Sequence, residues 1–162
     1  MKKSIIHVIN MGSIGGVQEM FIPFYKKALH ASYFEHVVFG FEATDSLYAE
    51  KVSLYVLKNS FVNCVRFLKY LFLRDSIVHF HNMLGRRGIR ALLRIVPVRR
   101  VVFTEHGSIW NAPHRDMEVF RSNAARALKV IANSNATKTM LVKRAQIDSD
   151  KIEVIHNGYL EE

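Results

Sequence analysis

Seven short apolar runs, rich in β-branched residues and mostly separated by longer stretches with helical spacing, constrain this chain more than any other feature. The runs lie at 4–9, 36–41, 53–57, 77–80, 101–104, 129–132 and 152–155, and most are continuously apolar, as strands buried on both faces of a parallel sheet are. Helical spacing covers 17–30, 61–73, 85–95, 117–127 and 136–145, each the length of a crossover helix. This alternation is the signature of βαβ units and predicts an α/β fold: a doubly wound, Rossmann-like parallel sheet. No repeat, low-complexity tract or Pro/Gly/Ser-rich linker divides the sequence, so residues 1–162 are expected to form one domain.

Composition narrows the function classes. At 49% hydrophobic, a chain of 162 residues has enough apolar material for one ordinary core. The single cysteine, Cys64, excludes an internal disulfide and a Cys-based zinc site, which fits a reducing, cytoplasmic compartment. Met1-Lys2-Lys3 imitates the charged start of a signal peptide, but the apolar run after it is short and contains His7, as a buried first strand would. The stretch 61–73 is interrupted by Asn63, Arg66 and Lys69 and falls short of the roughly 20 apolar residues a spanning helix needs. A net charge of +9 calls for an anionic partner: nucleic acid, acidic lipid or a phosphorylated substrate. Nucleic acid is disfavoured, because no RNP-like or helix-turn-helix signature is present and aromatics do not interleave with the basic residues.

In doubly wound sheets ligands bind beyond the carboxyl ends of the strands. After the first strand comes Asn10-Met11-Gly12-Ser13-Ile14-Gly15-Gly16-Val17-Gln18-Glu19, a glycine-rich turn opening a helix whose N-terminal amides suit an anion. Its spacing departs from G-x-G-x-x-G, so a dinucleotide-dependent oxidoreductase is not supported. The fourth strand ends in Val78-His79-Phe80-His81-Asn82 and the fifth in Phe103-Thr104-Glu105-His106-Gly107. His79, inside its strand, reads as a hydrogen-bonded core residue; His81 and His106, at strand ends, read as binding residues. A zinc site from His79, His81, His106 and Glu105 lacks a recognisable chelate spacing, and no metal is expected. Ser134 or Asn135 in Val130-Ile131-Ala132-Asn133-Ser134-Asn135 can cap the next helix. Asp148-Ser149-Asp150 spells a metal-binding D-x-D string but sits in a polar turn and reads as a loop. His156-Asn157-Gly158 carries a strong turn signal after the last strand.

Together and in this order, the segments resemble the N-terminal domain of family 4 glycosyltransferases, from Ile5 to Tyr159. Gly15-Gly16-Val17-Gln18-Glu19 is similar to the family's Gly-Gly opening, Ile77-Val78-His79-Phe80-His81 to its strand with paired histidines, and Val102-Phe103-Thr104-Glu105-His106-Gly107 to the strand ending in His-Gly. Val130-Ile131-Ala132-Asn133-Ser134 and Ile152-Glu153-Val154-Ile155-His156-Asn157-Gly158 resemble its last two strands. The resemblance implies one half of a GT-B enzyme, the acceptor side, with a nucleotide sugar as co-substrate and a glycan or lipid-linked acceptor. It implies Gly15, Gly16, His81, Ser134 and Asn157 as substrate-binding residues and His106 as the catalytic one. The family's paired glutamates belong to a C-terminal nucleotide-sugar domain, expected from a partner in cis or in trans.

The rival from another class is a binding-only Rossmann-like domain that holds a nucleotide or anionic polymer. A further expectation is peripheral contact with an anionic membrane at its inner face. The segment 61–74 places Phe61, Val65, Leu68 and Phe72 at helical spacing beside Arg66, Lys69 and Arg74, a pattern that core packing explains as well. Lys26, Lys27, Arg86, Arg87, Arg90, Arg94, Arg99 and Arg100 add basic candidates.

Overall fold

The computed structural model describes residues 3–11, 15–31, 33–41, 52–73 and 75–157. Seven strands, β1 (Ser4–Ile9), β2 (Glu35–Gly40), β3 (Leu54–Val56), β4 (Ser76–His81), β5 (Val101–Glu105), β6 (Lys129–Ala132) and β7 (Ile152–Val154), are assigned to one sheet in the Rossmann-like order β3-β2-β1-β4-β5-β6-β7. The chain divides into two compact units, one running up to Val78 and the other covering His79–Asn157.

In the first unit, β1 (Ser4–Ile9) lies parallel to β2 (Glu35–Gly40), with Ile6 opposite Val37 and Val8 opposite Phe39. β2 continues in parallel to the short β3 (Leu54–Val56). The helix α1 (Gly16–Ala31) sends Phe21, Ile22 and Tyr25 into a core with Ile9, Met11, Val38 and Val52. Its apolar residues sit three and four apart, so one stripe meets the sheet. The helix α2 (Phe61–Leu73) buries Phe67 and Leu71, and the Phe67 ring meets Phe39 edge-on at 4.9 Å. The spacing of Phe61, Val65, Leu68 and Phe72 favours a core stripe, yet all four are exposed, Phe61 by 83% and Phe72 by 60%.

The strand β4 (Ser76–His81) begins in the first unit and ends in the second. In the second unit β5 (Val101–Glu105) pairs in parallel with β6 (Lys129–Ala132), and β6 with β7 (Ile152–Val154). Phe80 and Phe103 stack at 5.0 Å in the middle of its core. The expected helix over 85–95 is shorter than its apolar spacing suggests: a 3₁₀ turn at Arg87–Ile89 leads into α3 (Arg90–Ile95). Gly85 lies before it, at a position where a Cβ would come 2.5 Å from the buried ring of Phe120 and only glycine fits.

Three further helices complete the unit: α4 (Ser108–Asn111), which the periodicity did not predict, α5 (Met117–Ala125) and α6 (Asn135–Ala145). Asn123 of α5, fully buried, donates from Nδ2 to the carbonyls of Leu84 at 2.7 Å and Arg86 at 3.1 Å, tying α5 to the segment that enters α3. Among the described residues no helix is long and apolar enough to cross a membrane.

Candidate functional site

The carboxyl ends of β4 and β5 gather the polar residues of the second unit. Alternation along β4 puts His79 and His81 on one face, and their rings lie 4.1 Å apart. His79 Nε2 is 2.6 Å from Thr104 Oγ1 on β5, the hydrogen-bonded role its place inside a strand suggested. His81 is buried, and its ring stacks with that of His106 at 6.1 Å. The structure therefore brings together His81 and His106, two of the residues singled out from the sequence, with His79 beside them.

The loop after β5 owes its shape to Glu105. This carboxylate is fully buried, and its Oε1 accepts from the amides of Gly107 at 3.0 Å and Ile109 at 3.2 Å and from the Ser108 hydroxyl at 2.7 Å. It thus holds the N-terminal end of α4. Arg144, from α6, holds the other end by donating to the carbonyls of Ile109 and Ala112 at 2.7 Å and Trp110 at 3.1 Å. Gly107 has φ +120°, where a side chain is strained, so glycine is needed for the reversal that leaves His106 at the strand end.

Neither ring nitrogen of His106 has a hydrogen-bond partner among the described residues, although both are buried. Its backbone is anchored instead: the amide donates to Asn82 Oδ1 and the carbonyl accepts from Asn133 Nδ2, both long bonds of 3.4 Å. Asn82 follows β4 with φ +54°, a left-handed conformation that asparagine tolerates. Burial holds the His106 imidazole at about 4, against an ordinary 6.5. His79 is likewise lowered to about 4, by burial first and by the nearby His106 second. Burial pushes the Glu105 carboxyl up, opposed by its bonds to Ser108, Gly107 and Ile109. At neutral pH the imidazoles of His79 and His106 are consequently uncharged, and His106 presents one donor and one acceptor without partners among the described residues.

Other expected site residues fare differently. Ser134 accepts from the Thr137 amide at 3.1 Å and donates to the Thr137 hydroxyl at 3.0 Å, so its hydroxyl caps α6. Asn157 is exposed beyond β7, and among the described residues no hydrogen bond joins it to the histidines. In Asp148-Ser149-Asp150, Asp148 accepts from the Asp150 amide at 3.0 Å and starts a 3₁₀ turn, as a loop reading expects.

In the first unit Gly16 begins α1, and the carbonyl of Gly15 accepts from the amides of Gln18 at 3.0 Å and Glu19 at 3.2 Å. A Cβ on Gly16 would meet nothing within 4 Å, and its φ lies outside the left-handed region, so open space rather than an unusual φ distinguishes this glycine. Gly12, Ser13 and Ile14 lie outside the described residues. The sequence did not single out Asn82, Asn133 or the structural role of Glu105; a strand-end Asn or Glu carries no local signal until its neighbours are in place.

The family model described as Glycosyltransferase Family 4 matches residues 24–159. Among solved structures, the chain is similar to Anabaena Alr3699/HepE in complex with UDP-glucose, with TM-score 0.75 and 20% identity over 97% of this chain and 44% of that one. It is also similar to the same protein in complex with UDP (TM-score 0.71, 20% identity, 96% and 44% covered) and with UDP and glucose (0.71, 19%, 98% and 45%). The chain thus spans less than half the length of these structures. No curated protein matches it significantly.

Proposed function

Because the chain belongs to Glycosyltransferase Family 4, we propose that it is the acceptor-side half of an enzyme that moves a hexose from a nucleotide sugar to a glycan or lipid-linked acceptor, with retention of configuration. The observation that carries this reading is the half-buried, uncharged imidazole of His106, whose two ring nitrogens are buried and have no partner among the described residues. Such a group makes hydrogen bonds to sugar hydroxyls without introducing a charge. The complexes of Alr3699/HepE with UDP and UDP-glucose support a nucleotide sugar as donor. A C-terminal domain, in cis or in trans, grips that donor.

In the reaction the acceptor oxygen forms a bond to the anomeric carbon as the bond from that carbon to the diphosphate oxygen breaks. The departing phosphate takes the acceptor's proton on the same face, so no protein nucleophile is required. His106 orients the transferred sugar or the acceptor hydroxyl, and His81, stacked against it, fixes the ring. Gly15 and Gly16 contribute the first amides of α1, whose positive dipole end stabilises charge on the leaving diphosphate. No step of this reaction calls on a resident metal.

A cytoplasmic enzyme of polysaccharide biosynthesis, bound peripherally at the inner face of the membrane, completes the reading. The exposed apolar residues of α2, with Lys69 among them, support membrane contact.

The test uses the whole protein with a panel of nucleotide sugars and acceptors. His106→Ala is expected to lower turnover by roughly a hundredfold or more, the scale of a lost positioning or acid–base group, while the melting temperature barely moves. NMR of the first-formed product is expected to show the donor's anomeric configuration. Near-normal turnover by the variant would overturn the role of His106, and an inverted product would overturn the same-face mechanism.

A further inference from the structure

We propose that the second unit carries a separate binding site for a terminal phosphate, a phosphomonoester dianion, in the crevice between α3 and α5. A cavity of about 270 Å³ opens there, lined by Arg90, Leu93, Arg94, Ser122, Asn123 and Arg126. It shares no residue with the histidine cluster, and the proposed transfer reaction uses none of its side chains.

Three guanidinium groups in one small cavity repel one another unless something neutralises them. Some other arginines of this unit have side-chain partners. Arg87 pairs with Asp116 at 2.8 Å, Arg121 donates to the Ala145 carbonyl at 3.0 Å, and Arg144 holds three carbonyls. Among the described residues the side chains of Arg90, Arg94 and Arg126 make no hydrogen bond or ion pair, and no carboxylate lines the cavity. Arg90 and Arg94 sit one helical turn apart on α3, so both project to one side of it. Arg126 follows directly on α5 and faces them from the other wall.

The walls are held before any ligand arrives. Asn123 ties α5 to the carbonyls of Leu84 and Arg86 at the entrance to α3, and buried Leu93 fixes α3 from beneath. A binding group on such a frame loses little freedom when its ligand docks.

The ligand's chemistry follows from the shape and charge. Guanidinium forks match phosphate oxygens bidentately, and Ser122 adds a hydroxyl donor. A terminal phosphate presents three oxygens and two charges to the three guanidinium groups. A phosphodiester carries one charge and a substituent on both sides, so a nucleic-acid backbone fits poorly. The phosphate can come from a soluble ester or from a lipid headgroup.

Isothermal titration calorimetry of the chain with glycerol 3-phosphate tests this. Saturable one-to-one binding that weakens with salt is expected. Arg94→Gln should weaken it roughly tenfold, the scale of one charged hydrogen-bonding group. Arg94→Lys should fall between the two, because the charge remains and the fork is lost. The triple variant Arg90→Gln, Arg94→Gln, Arg126→Gln should abolish binding, whereas Arg115→Gln, outside the cavity, should leave it intact. These side chains are exposed, and an unchanged far-UV circular dichroism spectrum confirms that each variant is folded. Short-chain phosphatidic acid in solution separates the sources: tighter binding than glycerol 3-phosphate identifies a lipid headgroup, and equal binding a soluble ester. Binding unchanged in the triple variant, absent in the wild type, or equal for dimethyl phosphate would overturn the proposal.

Discussion

Protonating His106 is expected to destabilise the fold by an amount set by its burial. Its folded value of about 4 lies below the ordinary 6.5, so as pH falls the unfolded chain takes up the proton first. The contribution is fully present above pH 6.5, is lost as pH falls from there toward 4, and changes no further below. With these two values the loss is about 2 kcal/mol by pH 5 and about 3 kcal/mol once both states are protonated. His79 shifts the same way, partly because of His106, so removing His106 also relieves part of the penalty on His79. Glu105 works with the opposite sign: burial raises its folded value above the ordinary 4.5, so the folded state gains that proton first on acidification. Comparing wild type with His106→Gln cancels the Glu105 contribution, which both proteins share. Urea unfolding at pH 7, 6 and 5, followed by the fluorescence of Trp110, the single tryptophan and three residues past Gly107, measures the difference. The variant is expected to lose about 2 kcal/mol less than wild type between pH 7 and pH 5. Equal losses in the two proteins would refute the argument that a buried, uncharged His106 makes this fold acid-sensitive.

Gly107→Ala should cost roughly 1–3 kcal/mol, because alanine must adopt φ +120° or break the turn that Glu105 holds; an unchanged urea midpoint would contradict this. Gly16→Val should leave the melting temperature nearly unaltered, since its Cβ meets nothing within 4 Å, yet weaken nucleotide-sugar binding in the whole protein; undiminished affinity by calorimetry would remove Gly16 from the donor site. Phe61→Ser with Phe72→Ser should leave stability intact, because both are exposed, and reduce sedimentation with acidic liposomes; a wild-type chain that stays in the supernatant at low salt would rule out membrane contact through α2.

Much of the architecture was legible in the order of residues. β1 (Ser4–Ile9), α2 (Phe61–Leu73) and β6 (Lys129–Ala132) have the bounds their apolar runs predict, and the ends of the other strands shift by at most one residue. Periodicity reports these elements because each must bury a face or a stripe, and that demand is written locally. The strand-end histidines could be found for the same reason: once the strands are placed, His81 and His106 fall at their carboxyl ends.

What lies beyond local demand was decided by tertiary structure. The helix α4 escaped notice because its two ends are satisfied by Glu105, which reads as the end of a strand, and by Arg144, 35 residues from Ile109. The inward face of α2 also depended on the partner it met: Phe67 and Leu71 found Phe39 and the sheet, leaving Phe61 and Phe72 outside, although both pairs fit a helical stripe. Arg90 and Arg94 were visible as basic residues, but their convergence with Arg126 required α5 to be anchored beside α3 through Asn123. The sequence by itself determined the strands, most helices and the strand ends where polar residues collect, because hydrophobic burial acts over a few residues at a time. The structure alone decided which side chains face one another and which lose their water, because burial, pKa and charge convergence depend on residues that are distant in the chain.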